Sequence, residues 1–148
     1  MSFRIEEKLY IRRENLLEFK AHLFKNLAKK LHHPRIIKSL YFENKNLDMF
    51  NDSIEGLTPR KKIRIRNYPN EKDIKFYLEI KNSAVEGRFK TRNVINDKEF
   101  SEKKFYGILD NQYGTCFPKL YVSYLREYFL LDDVRTVSYT HLRAHAVS

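Results

Sequence analysis

Cross-links, flexible glycines and long apolar runs are scarce in this 148-residue sequence, which has one Cys, no Trp, four Gly and four Pro. The single cysteine, Cys116, excludes an internal disulfide and a metal site built from several cysteines. The sequence has no Gly-rich phosphate-binding motif, which argues against a P-loop kinase or GTPase. No apolar run approaches the roughly 20 residues of a membrane-spanning helix, and no signal-peptide pattern is visible. We therefore expect a cytoplasmic protein, with any membrane attachment made through regions outside this chain.

Positive charge is what the sequence has in excess. Lys and Arg number 29 against 19 Asp and Glu, which gives a formal net charge of +10. Hydrophobic residues make up 42%, including Tyr 10 and Phe 11, and this content suits the core of one globular domain. A domain with this charge is expected to bind an anionic partner, such as a nucleic acid, a phosphorylated small molecule, polyphosphate or an acidic membrane.

The C-terminal segment 137–148 does not continue the patterns that precede it. Its residues VSYTHLRAH resemble the translation of a sequencing adapter. We therefore predict that residues 137–148 are a non-native, adapter-derived tail and that residues 1–136 are a natural domain that is cut off before its end. Setting the tail aside also removes His141 and His145 as candidates for a metal site.

Hydrophobic periodicity predicts a mixture of strands and helices. Period-two alternation predicts strands over 3–11, 36–43, 60–68, 74–82, 88–95 and 119–130. Apolar residues spaced by three and four predict a long amphipathic helix over 14–31. A second helix is expected over 98–109. A short helical or irregular segment is expected around Leu47, Met49 and Phe50, and residues 111–118 are expected to be a loop. The connections are of hairpin length, so the predicted class is α+β, with an antiparallel sheet that is closed or strongly curled.

Cations follow the polar face of the strand over 60–68, where Ile63 and Ile65 occupy the other face. Same-face neighbours on a strand lie roughly 6.6 Å apart, where two unit charges repel by about 2.5 kcal/mol at an effective dielectric constant near 20. Such a row is unfavourable unless it is solvated or holds an anion. An outward basic strand that protects a sheet edge is the alternative interpretation. The cations of this row are Arg60, Lys62, Arg64 and Arg66.

Other predicted strands repeat this arrangement of one apolar face and one basic face. If the strands pair in register, the basic faces merge into one surface, which becomes a lined channel if the sheet closes. Arg matches phosphate oxygens bidentately and Lys supplies point charges. The interspersed Glu6 and Glu79 would offset charge repulsion or help to hold Mg²⁺ or Mn²⁺. The other cations and the tyrosine of these faces are Arg4, Lys8, Lys81, Arg88, Lys90, Arg92, Tyr124 and Arg126.

Six short motifs in a fixed order resemble those of the VTC polyphosphate-polymerase domain, a member of the CYTH-like triphosphate tunnel superfamily. They are Arg4-x-Glu6-x-Lys8, Ser39-Leu40-Tyr41-Phe42-Glu43, Lys62-x-Arg64-x-Arg66-x-Tyr68, Leu78-Glu79-Ile80-Lys81, Lys90-x-Arg92 and Tyr124-x-Arg126. The resemblance spans nearly all of residues 4–135. It implies an antiparallel eight-stranded tunnel that binds polyphosphate or a nucleoside triphosphate. It also implies transfer of phosphoryl groups from ATP to a growing chain with Mn²⁺ or Mg²⁺.

The resemblance also implies roles for individual residues. Those implied to bind phosphate are Lys8, Lys62, Arg64, Arg66, Lys81, Lys90, Arg126 and Arg135. Further tunnel residues are Arg4, Arg60, Arg92 and Tyr124, and the metal-binding carboxylates are Glu6 and Glu79. Glu43 stands where the family more often has Asp, and the family's principal metal-binding Glu and a further tunnel Lys belong to later strands. The full-length parent is thus expected to be an enzyme and this shorter chain to be inactive.

Two other functions stay open at the level of sequence. A CYTH-type triphosphatase would hydrolyse short triphosphates, although Arg4 departs from the Glu-x-Glu-x-Lys signature of that sister group. A non-catalytic module would bind polyphosphate or single-stranded RNA, whose recognition normally includes base stacking on exposed aromatic rings. The expected partners are ATP or another triphosphate and polyphosphate, with nucleic acid less favoured.

Overall fold

A computed structural model describes residues 5–147 of the chain, so the predicted tunnel residue Arg4 lies outside the described residues. Within residues 5–147, the fold comprises three α-helices and seven β-strands, after a 3-10 turn at Arg13–Asn15. The helices are α1 (Leu16–Lys25), α2 (Asp48–Glu55) and α3 (Asp97–Tyr106). The strands are β1 (Lys29–Glu43), β2 (Arg60–Asn67), β3 (Phe76–Ala84), β4 (Gly87–Ile95), β5 (Ile108–Asp110), β6 (Gly114–Leu131) and β7 (Val134–Ala146).

The strands form one sheet in the order β4-β3-β2-β1-β6-β5, and β7 pairs with β6. The pairings β1–β2, β2–β3, β3–β4 and β5–β6 are antiparallel. An antiparallel sheet accompanied by helices is the α+β class that the sequence predicts.

The chain divides into two compact units, which are described separately. Unit 1 contains the described residues up to His33 together with Tyr128–Val137. Unit 2 contains Pro34–Glu127 together with the described residues from Ser138 onward.

In unit 1, the predicted long helix over 14–31 is wrong at its C-terminal end. Helix α1 ends at Lys25, because Leu27 adopts the left-handed conformation with φ 64°. The amide of Ala28 donates to the carbonyl of Leu23 and that of Leu27 donates to Phe24, which is the hydrogen-bond pattern of a Schellman C-cap. Residues 29–31 belong to β1 instead of the helix. Leucine rarely takes this conformation, so periodicity alone continues the helix too far.

The predicted first strand over 3–11 is also wrong in its described part, residues 5–11, which have no regular secondary structure. Ile5 and Leu9, two residues of its predicted apolar side, are 95% and 76% exposed. Alternation indicates a strand only when a neighbouring strand and a core cover its apolar side, and these side chains are not covered. The long helix therefore does not follow a first strand; α1 precedes every strand of residues 5–147.

Most other predicted elements are present, with shifted ends. Strands β2, β3 and β4 occur where alternation predicts them, α3 occurs where a second helix is expected, and the segment around Met49 is helical. The predicted loop over 111–118 is instead a tight β5–β6 hairpin, in which Asp110 pairs with Gly114. The Asp110 carboxylate accepts hydrogen bonds from the amides of Gln112 and Tyr113, which closes the turn. Residues 137–146 lie in β7.

The core of unit 2 lies on one side of β2. Ile63 and Ile65 are almost fully buried, and they lie opposite Phe42 and Leu40 of β1. Burial of each such side chain is worth about 1.5–3 kcal/mol. No helix within residues 5–147 combines the length and apolar character needed to cross a bilayer.

Candidate functional site

The antiparallel register of β2, β3 and β4 places their cations, except Lys61, on the side of the sheet opposite the Ile63 core. Lys62 lies opposite Lys81, which lies opposite Lys90. All three lysines are exposed. Like charges directly opposite each other destabilise a sheet, so this row of lysines is favourable only when solvent or an anion screens it. We call the surface the basic face; it consists of Arg60, Lys62, Arg64, Arg66, Tyr77, Glu79, Lys81, Ser83, Arg88, Lys90 and Arg92.

Four cations of the basic face surround a single carboxylate, Glu79, whose side chain is only 2% exposed. Both Nε and Nη2 of Arg64 lie 2.7 Å from Glu79 Oε2. Lys90 Nζ is 3.0 Å and Arg92 Nε 3.6 Å from Oε1, while Arg66 Nη1 is 3.9 Å from Oε2. We call these five residues the Glu79 cluster.

The charges of the cluster set the protonation of its members. Burial opposes ionisation of Glu79, but its close ion pair with Lys90 and the charge of Arg64 outweigh it and lower the pKa of this carboxyl below its usual value. Burial likewise acts to lower the pKa of Arg64, yet its interactions with Tyr41 and Glu79 prevail and raise that pKa. Glu79 is therefore an anion at neutral pH.

This arrangement predicts a loss of stability in acid. The pKa of Glu79 is lower in the folded chain than in the unfolded chain, so its contribution to stability is complete above the unfolded pKa of about 4.3. That contribution is lost as the pH falls through the folded pKa. We expect the free energy of unfolding, measured with urea, to fall below about pH 4.3. An NMR titration of the Glu79 carboxyl with a midpoint above that of a model glutamate would contradict the assignment.

Arg66 is fixed by side chains from outside the cluster. Its side chain is 4% exposed; Nε donates to Ser39 Oγ at 3.0 Å, and Nη2 donates to the Tyr124 hydroxyl at 3.0 Å. The same hydroxyl accepts a hydrogen bond from Arg126 Nη2 at 3.0 Å. Tyr124 therefore links Arg126 to the basic face, and these predicted site residues lie together.

Three supporting residues were not assigned a role from the sequence. Ser39 and Tyr41 lie opposite Arg66 and Arg64 in the β1–β2 register, and the Tyr41 hydroxyl accepts a hydrogen bond from Arg64 Nη1 at 3.2 Å. The ring of Tyr77 lies 3.8 Å from the Arg92 guanidinium carbon. The alternation of Ser39 and Tyr41 with the apolar residues Leu40 and Phe42 was the sequence signal that could have identified these two supporting residues.

The remaining predicted site residues are more dispersed. Arg60 lies on the basic face and donates through Nη1 to the carbonyl of Leu57. Glu6 and Lys8 are exposed in the irregular segment of unit 1. Arg135, also in unit 1, lies on β7 with its guanidinium 5.7 Å from the ring centre of Tyr128. The roles proposed for these residues stay predictions.

The predicted metal-binding carboxylates do not lie in a cluster of metal-ligating side chains. Within residues 5–147, no three His, Cys, Asp or Glu side chains are placed to hold a metal ion. Glu79 is the one carboxylate that β2, β3 and β4 contribute to the basic face, and it is surrounded by cations. Metal binding by Glu6 and Glu79 stays a prediction.

Glu43 has a structural contact of its own. Its carboxylate accepts hydrogen bonds from the amides of Met49 and Phe50 at 3.2 and 2.9 Å. It thereby satisfies donors at the N-terminus of α2, where negative charge is favourable.

Lys61 and Cys116 lie away from the basic face. Lys61 Nζ is 2.8 Å from Asp110 Oδ1, an ion pair that lowers the pKa of Asp110 despite burial. Burial, together with the charges of Asp110 and Glu43, raises the pKa of Cys116 to about 11. A buried thiol that stays protonated at neutral pH is a core residue and not a nucleophile.

Fold and site together define an α+β protein whose antiparallel sheet has an apolar face and a basic face centred on one carboxylate. The sequence matches the VTC domain over residues 3–141, and the chain belongs to the VTC domain family. That family is associated with polyphosphate polymerase activity. A comparison with curated protein sequences gives no match. The match confirms the predicted family, while the adapter origin of residues 137–148 stays a prediction.

Proposed function

We propose that the basic face binds the phosphate chain of ATP and of polyphosphate, and that the domain serves in ATP-dependent polyphosphate synthesis. The observation that carries this proposal is the convergence of four cations within 4 Å of Glu79. Membership of the VTC domain family supports the same conclusion. In the complete protein, we propose, the basic face forms part of the inner wall of a tunnel.

The proposed chemistry is electrostatic. Charge in phosphoryl transfer is spread over the equatorial oxygens, so positioned cations do most of the catalytic work. Arg66, fixed by Ser39 and Tyr124, supplies a constant positive charge. Lys90 and Arg92 are about half-exposed and can turn toward a phosphate chain. A Mn²⁺ or Mg²⁺ ion bound with the substrate would neutralise phosphate oxygens, whereas Glu79 is already paired with cations of the basic face.

The tyrosines beside the basic face favour a phosphate chain over single-stranded RNA. The Arg92 guanidinium covers the ring of Tyr77 at 3.8 Å, and Tyr68 and Tyr124 are buried. Single-strand recognition relies on aromatic rings that are free to stack on bases. The ring of Tyr77 is covered by Arg92 and those of Tyr68 and Tyr124 are buried, so none of the three is free to stack on a base.

Calorimetric titration of the 148-residue chain with tripolyphosphate, polyphosphate and a single-stranded RNA of matched charge tests the binding. We expect the phosphate chains to bind more tightly than the RNA, with affinity that falls as salt is raised. The full-length parent, given ATP and Mn²⁺, should form a phosphate polymer. Release of orthophosphate from tripolyphosphate without chain growth would instead indicate a triphosphatase. Absence of phosphate-chain binding would contradict the proposed function.

A further inference from the structure

The Glu79 carboxylate occupies the position in the cluster where an incoming phosphate oxygen would find the most donors. Arg64 makes two contacts of 2.7 Å to one of its oxygens, and Lys90 lies 3.0 Å from the other. These are the lengths of charge-assisted hydrogen bonds, and they match those that Arg and Lys make with phosphate. We propose that Glu79 is a built-in competitor of the phosphate chain, which keeps the empty cluster assembled and limits how tightly the chain binds. This inference rests on the proposed function.

Assembly of the empty cluster requires a counter-charge. Arg64 lies directly opposite Glu79 on one side, and Arg92 lies directly opposite on the other. Without the carboxylate, the two guanidinium groups and Lys90 would repel one another with no anion between them. Glu79 therefore holds these cations in place before any ligand arrives.

The competition follows from the same contacts. Glu79 is attached to the sheet, so its effective concentration beside Arg64 far exceeds that of a dissolved anion. A phosphate chain must take donors from Glu79, or bind beside it and be repelled by its charge. Either course weakens binding. The exposed row of Lys62, Lys81 and Lys90 lies one step along the strands and offers the chain contacts next to the cluster.

Limited affinity has a functional consequence for a polymer. A polyphosphate that grows by one phosphate at a time must shift along the cations of the basic face after each addition. A site that binds too tightly holds its ligand in place, whereas binding that is shared with an internal anion permits release.

The variant Glu79→Gln tests whether the charge of Glu79 limits ligand binding, because glutamine keeps the shape of glutamate and loses its charge. Measured in EDTA, we expect Glu79→Gln to bind tripolyphosphate about tenfold more tightly than the original chain, a factor that corresponds to about 1.4 kcal/mol. The gain should appear mainly as slower dissociation in stopped-flow experiments. We also expect the unliganded variant to melt at a lower temperature and to be stabilised more by tripolyphosphate than the original chain.

Asp110→Asn is the matched control. Asp110 is also a buried, ion-paired carboxylate, but it contacts Lys61 away from the basic face. We expect this variant to lose stability while its affinity for tripolyphosphate stays within about twofold, because its contribution is structural.

The outcomes distinguish this inference from the proposed function. If the original chain binds tripolyphosphate and Glu79→Gln binds equally or less tightly, the competitor role is wrong and the proposed function stands. If neither binds, both are wrong. If Glu79→Gln is unfolded without ligand, the proposal requires tripolyphosphate to restore its circular dichroism spectrum, and failure to do so would overturn it.

Discussion

Replacing Arg64 with glutamate is expected to abolish the binding of phosphate chains. Arg64 lies opposite Glu79 in the β2–β3 register and is hydrogen-bonded to it. The substitution changes the local charge by two units and places a second carboxylate beside the first. Two unit charges about 4 Å apart interact by about 4 kcal/mol at an effective dielectric constant of 20. We therefore expect the affinity for tripolyphosphate, measured by calorimetry, to fall by at least about 100-fold.

Two companion variants make this prediction specific. Lys98→Glu, on the exposed side of α3, changes the net charge by the same amount but lies off the basic face. Its affinity should stay within about threefold at physiological salt, because screening over about 8 Å weakens distant charges. The affinity of Arg64→Gln, which adds no carboxylate, should lie between those of Arg64→Glu and Lys98→Glu. Equal losses for Arg64→Glu and Lys98→Glu would mean that net charge, and not the cluster, determines binding.

Truncating Ile63 is expected to have the largest effect on stability. Ile63 is 1% exposed and lies between Phe42 of β1 and Ile80 of β3. Ile63→Ala removes buried methyl groups and leaves a cavity, which costs about 2–5 kcal/mol. This is a large share of the 5–15 kcal/mol that stabilises a typical domain. Urea unfolding should show a lower midpoint for this variant.

The series is completed by a smaller truncation and an exposed one. Ile63→Val should cost about 0.5–1.5 kcal/mol. Ile54→Ala, on the exposed side of α2, should change stability by less than about 0.5 kcal/mol. Under conditions in which Ile63→Ala remains folded, its affinity for tripolyphosphate should be close to that of the original chain. If Ile63→Ala lowered the free energy of unfolding no more than Ile54→Ala does, Ile63 would not pack as described.

The sequence predicts β2, β3 and β4 well because each carries its own evidence. Ile63 and Ile65 alternate with Arg64 and Arg66, and such a period-two pattern defines both the strand and its two faces. Sequential strands with short connections pair as neighbours, so the shared basic face also follows from local information.

The predictions that failed depended on information outside the local pattern. Nothing in residues 5–11 shows whether another strand covers Ile5 and Leu9, and the structure leaves both exposed. The end of α1 depends on Leu27 at φ 64°, a conformation for which glycine is the usual signal. The contacts of Arg66 with Ser39 and Tyr124 join strands that are distant in sequence. Alternation gives the side on which a residue lies but not its partner.

Because apolar and basic residues alternate along β2, the same strand register is required for the core and for ligand binding. A one-residue slip in its pairing would turn Ile63 and Ile65 toward water and bury Arg64 and Arg66 in an apolar layer. A misaligned molecule could then neither form its core nor display its charges. The fraction of a preparation that is retained on a phosphate-bearing resin would therefore report how many molecules have paired this strand correctly.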